Sequence, residues 1–159
     1  MSNGQIKDNK LLDSKEKYRK KLLKEFSIYE KASYLTKNDW QIISGRRVLS
    51  EEFIREFQDS VYWPQISYHQ ELSENFICEF QDKVDWRYIS YKQVLTEEFM
   101  RKFKNKLEWR NISAKQLMFD EFIIENSDKI DFSLYFTYQS ANFNIIKKYV
   151  HKTKFKDIV

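Results

Sequence analysis

Glycine and proline are nearly missing from this 159-residue chain, which has two of the first and one of the second. Tight hairpins depend on such turn residues, so their scarcity argues against an all-β fold. Two glycines are also too few for a phosphate-cradling loop. A single cysteine, Cys78, rules out an internal disulfide, and beside only two histidines, His69 and His151, it gives no zinc-binding pattern. No stretch reads as a signal peptide or as an apolar span of about 18 residues. The expectation is a soluble, cytoplasmic protein without metal, cofactor, small-molecule substrate or membrane attachment.

Aromatic residues, by contrast, make up 17% of the chain and charged ones 33%, so there is much to bury and much to keep wet. The formal net charge of +4 is unevenly spread. Residues 1–39 hold ten Lys and Arg against six Asp and Glu, and residues 132–159 hold five against one. A basic end is either a solvated face or a contact for nucleic acid or an acidic partner.

The chain repeats itself every 23 residues. Trp40, Trp63, Trp86, Trp109 and Phe132 form one column, and Ile43, Ile66, Ile89, Ile112 and Tyr135 another. Ser44, Ser67, Ser90 and Ser113 follow, then Leu49, Leu72, Leu95 and Met118. A second cluster runs through Phe53, Phe76, Phe99 and Phe122, then Phe57, Phe80 and Phe103, and closes on Val61, Val84, Leu107 and Ile130. Periods of this length mark stacked-unit architectures. A partial unit with Phe26, Ser27 and Tyr34 precedes the first, and the fifth decays, as terminal units of a stack do.

Within a unit the spacing predicts two short helices. Ser50, Ser73 and Thr96 stand before mostly acidic pairs, the pattern of an N-cap with negative charge in the first turn. The leucine before each cap and Ile54, Ile77 or Met100 after it are placed as a hydrophobic staple. Positions 53, 54, 57 and 61 make one helical stripe. Asp39, Asp85 and Asp131 are candidate caps for the first helix, whose Trp and Ile share a face at i, i+3. A leucine-rich strand solenoid fits the period but lacks the Asn or Cys its turn needs, and Pro64 would fall inside a paired strand, whereas it is tolerated in a first helical turn.

The predicted fold is all-α: a solenoid of about five two-helix repeats. Residues 1–10 should be a disordered tail, 11–39 a capping helix with a partial repeat, 40–131 four helical pairs, and 132–159 a degenerate C-terminal capping repeat. The apolar residues at 11, 18, 22 and 26 share the face of the expected capping helix.

The phrase W-x-x-I-S-x-x-Q-x-L-S-E-x-F-I-x-E-F-x-D-K-V-D-W, nearly complete from Trp63 to Trp86, resembles the tandem repeats of uncharacterised proteins from giant DNA viruses and some phages. The likeness covers about residues 36–131, and Gly45 and Asn126 depart from it. It implies a viral or phage origin and a helical repeat, with no activity attached.

Chemistry needs convergent polar groups or a metal, and the sequence gathers neither. Glu51, Glu52, Glu97 and Glu98 are accounted for as first-turn residues. Cys78 shares a column with Arg55, Arg101 and Ile124, which predicts partial exposure, and no base stands near it in sequence. The protein is therefore read as non-enzymatic. The apolar columns are core, each aromatic packing on the next unit. Gln70, Gln93, Gln116 and Gln139 form either a hydrogen-bond ladder between helices or a row of ligand contacts.

Binding should fall on the columns that vary. The first helices, taken as 40–49, 63–72, 86–95, 109–118 and 132–141, carry Arg46, Arg47, Arg87, Lys92, Arg110 and Lys115 against one acid, Glu71. With Tyr68, His69, Tyr88 and Tyr91 between them, these residues predict a basic, tyrosine-bearing edge. Such an edge suits a protein partner held by aromatic anchors, and the viral likeness implies a host defence or regulatory protein. The alternative is RNA or single-stranded nucleic acid, through phosphate contact and base stacking.

Overall fold

The computed structural model describes residues 16, 17, 20, 21, 23, 24, 35–46 and 48–153. These residues form helices and connections with no strand among them. The chain divides into two compact units, the first ending at Gln70 and the second starting at Glu71. The predicted tail 1–10, the partial repeat at Phe26, Ser27 and Tyr34, the apolar positions 11, 18, 22 and 26, and Arg47 lie outside the described residues. In the predicted capping segment, residues 16, 17, 20, 21, 23 and 24 are helical, Glu16 pairs with Lys20 at 3.2 Å, and Leu23 is buried.

The first unit holds α1 (Lys37–Arg46), α2 (Glu51–Glu56) and α3 (Trp63–His69), with α1 packed against α3. The cap of α1 corrects the sequence reading. Thr36 Oγ1 accepts from the Asp39 amide at 3.3 Å, and Asp39 Oδ2 accepts from the Thr36 amide at 2.8 Å and its hydroxyl at 2.6 Å. This reciprocal pair is a capping box, so Asp39 lies inside the first turn and Thr36 is the cap. Trp40 is buried against Phe57, 5.3 Å between ring centroids, with Phe53 and Phe57 at 4.7 Å.

The second unit holds α4 (Glu74–Glu79), α5 (Trp86–Lys92), α6 (Glu97–Lys102), α7 (Trp109–Lys115), α8 (Asp120–Glu125), α9 (Phe132–Tyr138) and α10 (Phe143–Tyr149), then a 3₁₀ turn at Val150–Lys152. Helix α5 packs on α7 and α7 on α9, so successive repeats stack as in a helical solenoid. Ser73 and Thr96 cap α4 and α6, each accepting the third residue's amide at 3.2 Å, as Ser50 does for α2. Asp85 and Asp131 cap α5 and α9 as expected. Pro64 falls in the first turn of α3, where no backbone donor is lost.

The first helices stop three residues short of the segments read from sequence. Gln70, Gln93, Gln116 and Gln139 are C-caps with ψ between 137° and 150°, so the chain leaves the helix in extended form. Extended backbone alternates its side chains. In the third repeat Gln93 and Leu95 turn inward, with Val94 between them facing solvent. The second helices end on the Phe column at φ near −109°, with the Phe103 amide on Phe99 O at 3.0 Å, and Leu107 closes the turn onto Phe103. All these φ values are negative, which explains how the chain turns so often with two glycines.

The fifth repeat is degenerate in sequence yet keeps the helical pair. Phe132 stacks on Tyr149 at 4.4 Å, a Tyr replacing the second Phe of the column, and Ile145 and Thr153 are buried where earlier repeats bury Phe and Val. At Asn126, where that Phe is lost, the buried amide donates to Phe122 O at 2.9 Å. Ile146 is 40% exposed although its column mates Ile77, Met100 and Ile123 are at 0%.

Candidate binding surface

The shared polar columns are internal ties. Each Ser hydroxyl donates to the carbonyl four residues back, as Ser90 does to Trp86 O at 2.7 Å. The same oxygen accepts the amide that opens the next first helix: Tyr62 on Ser44, Glu108 on Ser90 and Asp131 on Ser113, all at 2.9 Å. The Gln column is a ladder, which resolves the choice left open by the sequence. Gln70 Oε1 accepts from Leu49 N at 2.9 Å and its Nε2 donates to Ser44 O at 2.9 Å. Gln116 accepts from Leu95 N at 3.0 Å and donates to Ser90 O and Gln93 O at 3.3 and 2.7 Å. These side chains are buried, so their pairing avoids a desolvation penalty of about 1–3 kcal/mol for each polar group.

A third tie was not visible in the sequence. Glu74 Oε1 accepts the Thr96 amide at 2.6 Å, and Glu97 Oε1 accepts the Phe119 amide at 2.7 Å. These first-turn carboxylates therefore link one repeat's second helix to the next repeat's cap, beyond their favourable place at a helix N-terminus. The only hint was an acid directly after each cap.

The Trp column corrects another expectation. Trp63, Trp86 and Trp109 are half-buried, and each indole N–H donates to the carbonyl five residues earlier, at 3.0, 2.9 and 2.8 Å. Trp86 lies on Phe99 and Phe103 of its own repeat at 6.2 and 4.9 Å, so it seals the turn before it and its own second helix.

In the first unit, Arg46 and His69 are exposed and Tyr68 is half-buried, its ring edge-on to His69 at 4.7 Å. Gly45 allows a close approach here: a Cβ on it would stand 2.7 Å from Gln65 Oε1. An open cleft of about 360 Å³ lies beside it, with Arg46, His69, Gln41 and Gln65 in its wall.

In the second unit, Arg87, Tyr91, Lys92, Arg110 and Lys115 are exposed and Tyr88 is half-buried. Arg87 covers the Tyr88 ring at 4.6 Å. Lys115 stands over the rings of both Tyr91 and Tyr138, at 5.1 and 5.7 Å, and Lys92 lies 5.8 Å from Tyr91. The last turns of α5, α7 and α9 thus form one row in which lysines and tyrosines alternate.

Sequence reasoning missed the apolar part of this surface. Val94, Leu117 and Phe119 are 93%, 86% and 76% exposed, and Tyr138 is 62% exposed. Their signal was the switch from helical to alternating periodicity after each Gln, which an amphipathic-helix reading passes over.

The shifted proton affinities have structural causes. The Thr36 hydroxyl and amide hold Asp39 below its ordinary value, the hydrogen bond that Arg101 donates to Glu125 raises Arg101, and burial followed by the Asp120 charge raises Tyr135. Cys78 is half-buried with Lys102 Nζ 3.5 Å from its sulfur. Among the described residues no group of three or more His, Cys, Asp or Glu could hold a metal ion, and no helix is long and apolar enough to cross a membrane. No family model, curated protein or solved structure matches the chain.

Proposed function

We propose that this protein is a non-enzymatic helical-repeat scaffold that binds another protein. The observation that carries this reading is the pairing, on one stack, of internal ties that use up the shared polar columns with an outer row of exposed tyrosines, lysines and apolar side chains. Exposed apolar contacts held on a rigid frame favour a protein over nucleic acid. The likeness of the repeat phrase to viral and phage tandem repeats supports a host defence or regulatory protein as the partner, met in the cytoplasm. The basic row supports single-stranded RNA or DNA as the second reading.

A pull-down from cell lysate, beside a binding assay on random RNA and single-stranded DNA pools, separates the two. A saturable protein partner is expected. Reversing Arg87, Lys92 and Arg110 to Glu should weaken its capture without changing the melting temperature. Nucleic-acid binding that falls linearly in log salt, with a slope of about 0.7 per phosphate, and no protein partner would overturn the scaffold reading.

A further inference from the structure

The exposed apolar side chains of the second unit sit on backbone that is fixed from behind. Gln116 is an extended C-cap with ψ 137° and Phe119 an extended N-cap with ψ 160°, so Leu117 and Phe119 emerge on the same side of one short segment. Gln116 anchors the start of that segment through Leu95, Ser90 and Gln93, and Glu97 anchors its end through the Phe119 amide. A large apolar residue held rigidly in water is destabilising for solubility, and the ordering cost of using it in a contact is already met.

The first-helix side of this segment carries the exposed cations Arg110 and Lys115, with the exposed Glu108 two residues before Arg110. Arg110 and Lys115 form no ion pair with a carboxylate among the described residues; Lys115 rests between the Tyr91 and Tyr138 rings. Two carboxylates close to the segment are engaged in the stack: Glu97 accepts the Phe119 backbone amide and Asp120 accepts from the Asn142 side-chain amide. Glu98 and Glu121 are exposed on the second helices, so the charge changes sign across the segment.

We infer that Leu117, Phe119 and Val94, with Lys115 and Lys92, form a docking site for an acidic peptide segment with apolar side chains. Its carboxylates meet the lysines, and its apolar side chains cover Leu117 and Phe119. Its acidic part lies toward the first helices, because Glu98 and Glu121 repel it from the second. This rests on the scaffold reading and assigns its surface and the chemistry of its partner.

The test is selection of a random twelve-residue peptide library on the immobilised full chain, followed by titration of the enriched peptides against it. Enriched peptides should combine Asp or Glu with Leu, Phe or similar residues. Their affinity should fall at least tenfold in a Leu117→Ser, Phe119→Ser variant and again in Lys115→Glu, with the melting temperature unchanged in both. A basic or purely polar consensus, no enrichment, or equal binding by the variants would overturn the inference. So would a 12-mer of oligouridylate competing for the same residues, or concentration-dependent self-association lost in the Ser variant, which would assign the face to nucleic acid or to a second copy. A lysate partner still captured by the Ser variant would retain the scaffold reading and sink this site alone.

Discussion

Val94 and Leu95 are adjacent residues of similar chemistry, one 93% exposed and the other 5%. The contrast holds between two regions of the second unit: an inner seam in which the Ser, Gln and Glu columns bond the neighbouring repeat, and an outer edge of exposed apolar and cationic side chains. The recurring Ser, Gln and first Phe columns belong to the seam, and the edge is drawn from positions that change. Regularity here measures how much a position does for the stack.

The sharpest way to break this contrast is to cut into the seam. Phe99→Ala removes a ring that is 4% exposed and should cost about 3–5 kcal/mol in urea or thermal unfolding. Gln116→Ala leaves the Leu95 amide and two carbonyls unpaired and should cost roughly 2–4 kcal/mol. Trp86→Ala should cost less, about 2–3 kcal/mol, since the ring is half-buried and its loss forfeits one hydrogen bond along with the Phe103 contact. On the edge, Lys92→Ala and Leu117→Ser should each move stability by less than about 0.5 kcal/mol. If Gln116→Ala and Leu117→Ser melt alike, the division into seam and edge is wrong.

The smallest effect concerns acid. Asp39 has a folded-state affinity below its ordinary 3.8, so the stability it contributes is present above that value and is lost as pH falls through the lower one. Asp39→Asn should therefore lower the melting temperature slightly at neutral pH and flatten its fall below about 3.8, where wild type and variant converge. A variant equally acid-labile would show that the Thr36 capping box does not set this limb.

The period and its apolar columns were legible in the sequence, because burial of Ile89, Phe99 and Met100 follows from repetition and helical spacing alone. The caps at Ser50, Ser73 and Thr96 were legible for a similar reason, since a hydroxyl before an acidic turn has few other uses. What escaped depends on how one repeat meets the next. The ends of α3, α5, α7 and α9 fall on a Gln, and in α3, α5 and α7 the preceding repeat's backbone claims its side chain, while the Glu74 and Glu97 ties need the next cap in place. The edge was read as tyrosines and cations, and Leu117 was missed because an apolar residue beside a core column passes for core. Thr36 went unnoticed as a cap because Asp39, three residues on, looked like the better one.

The ties between repeats have a kinetic consequence. Those of Ser, Gln and Glu span 18 to 26 residues, so each joins a repeat only to its neighbour. Contacts that stay this local keep loop closure cheap, and topologies rich in them fold fast. Adding a whole 23-residue unit would lengthen the chain without lengthening any closure, so the speed of forming each junction is independent of how many repeats the stack contains.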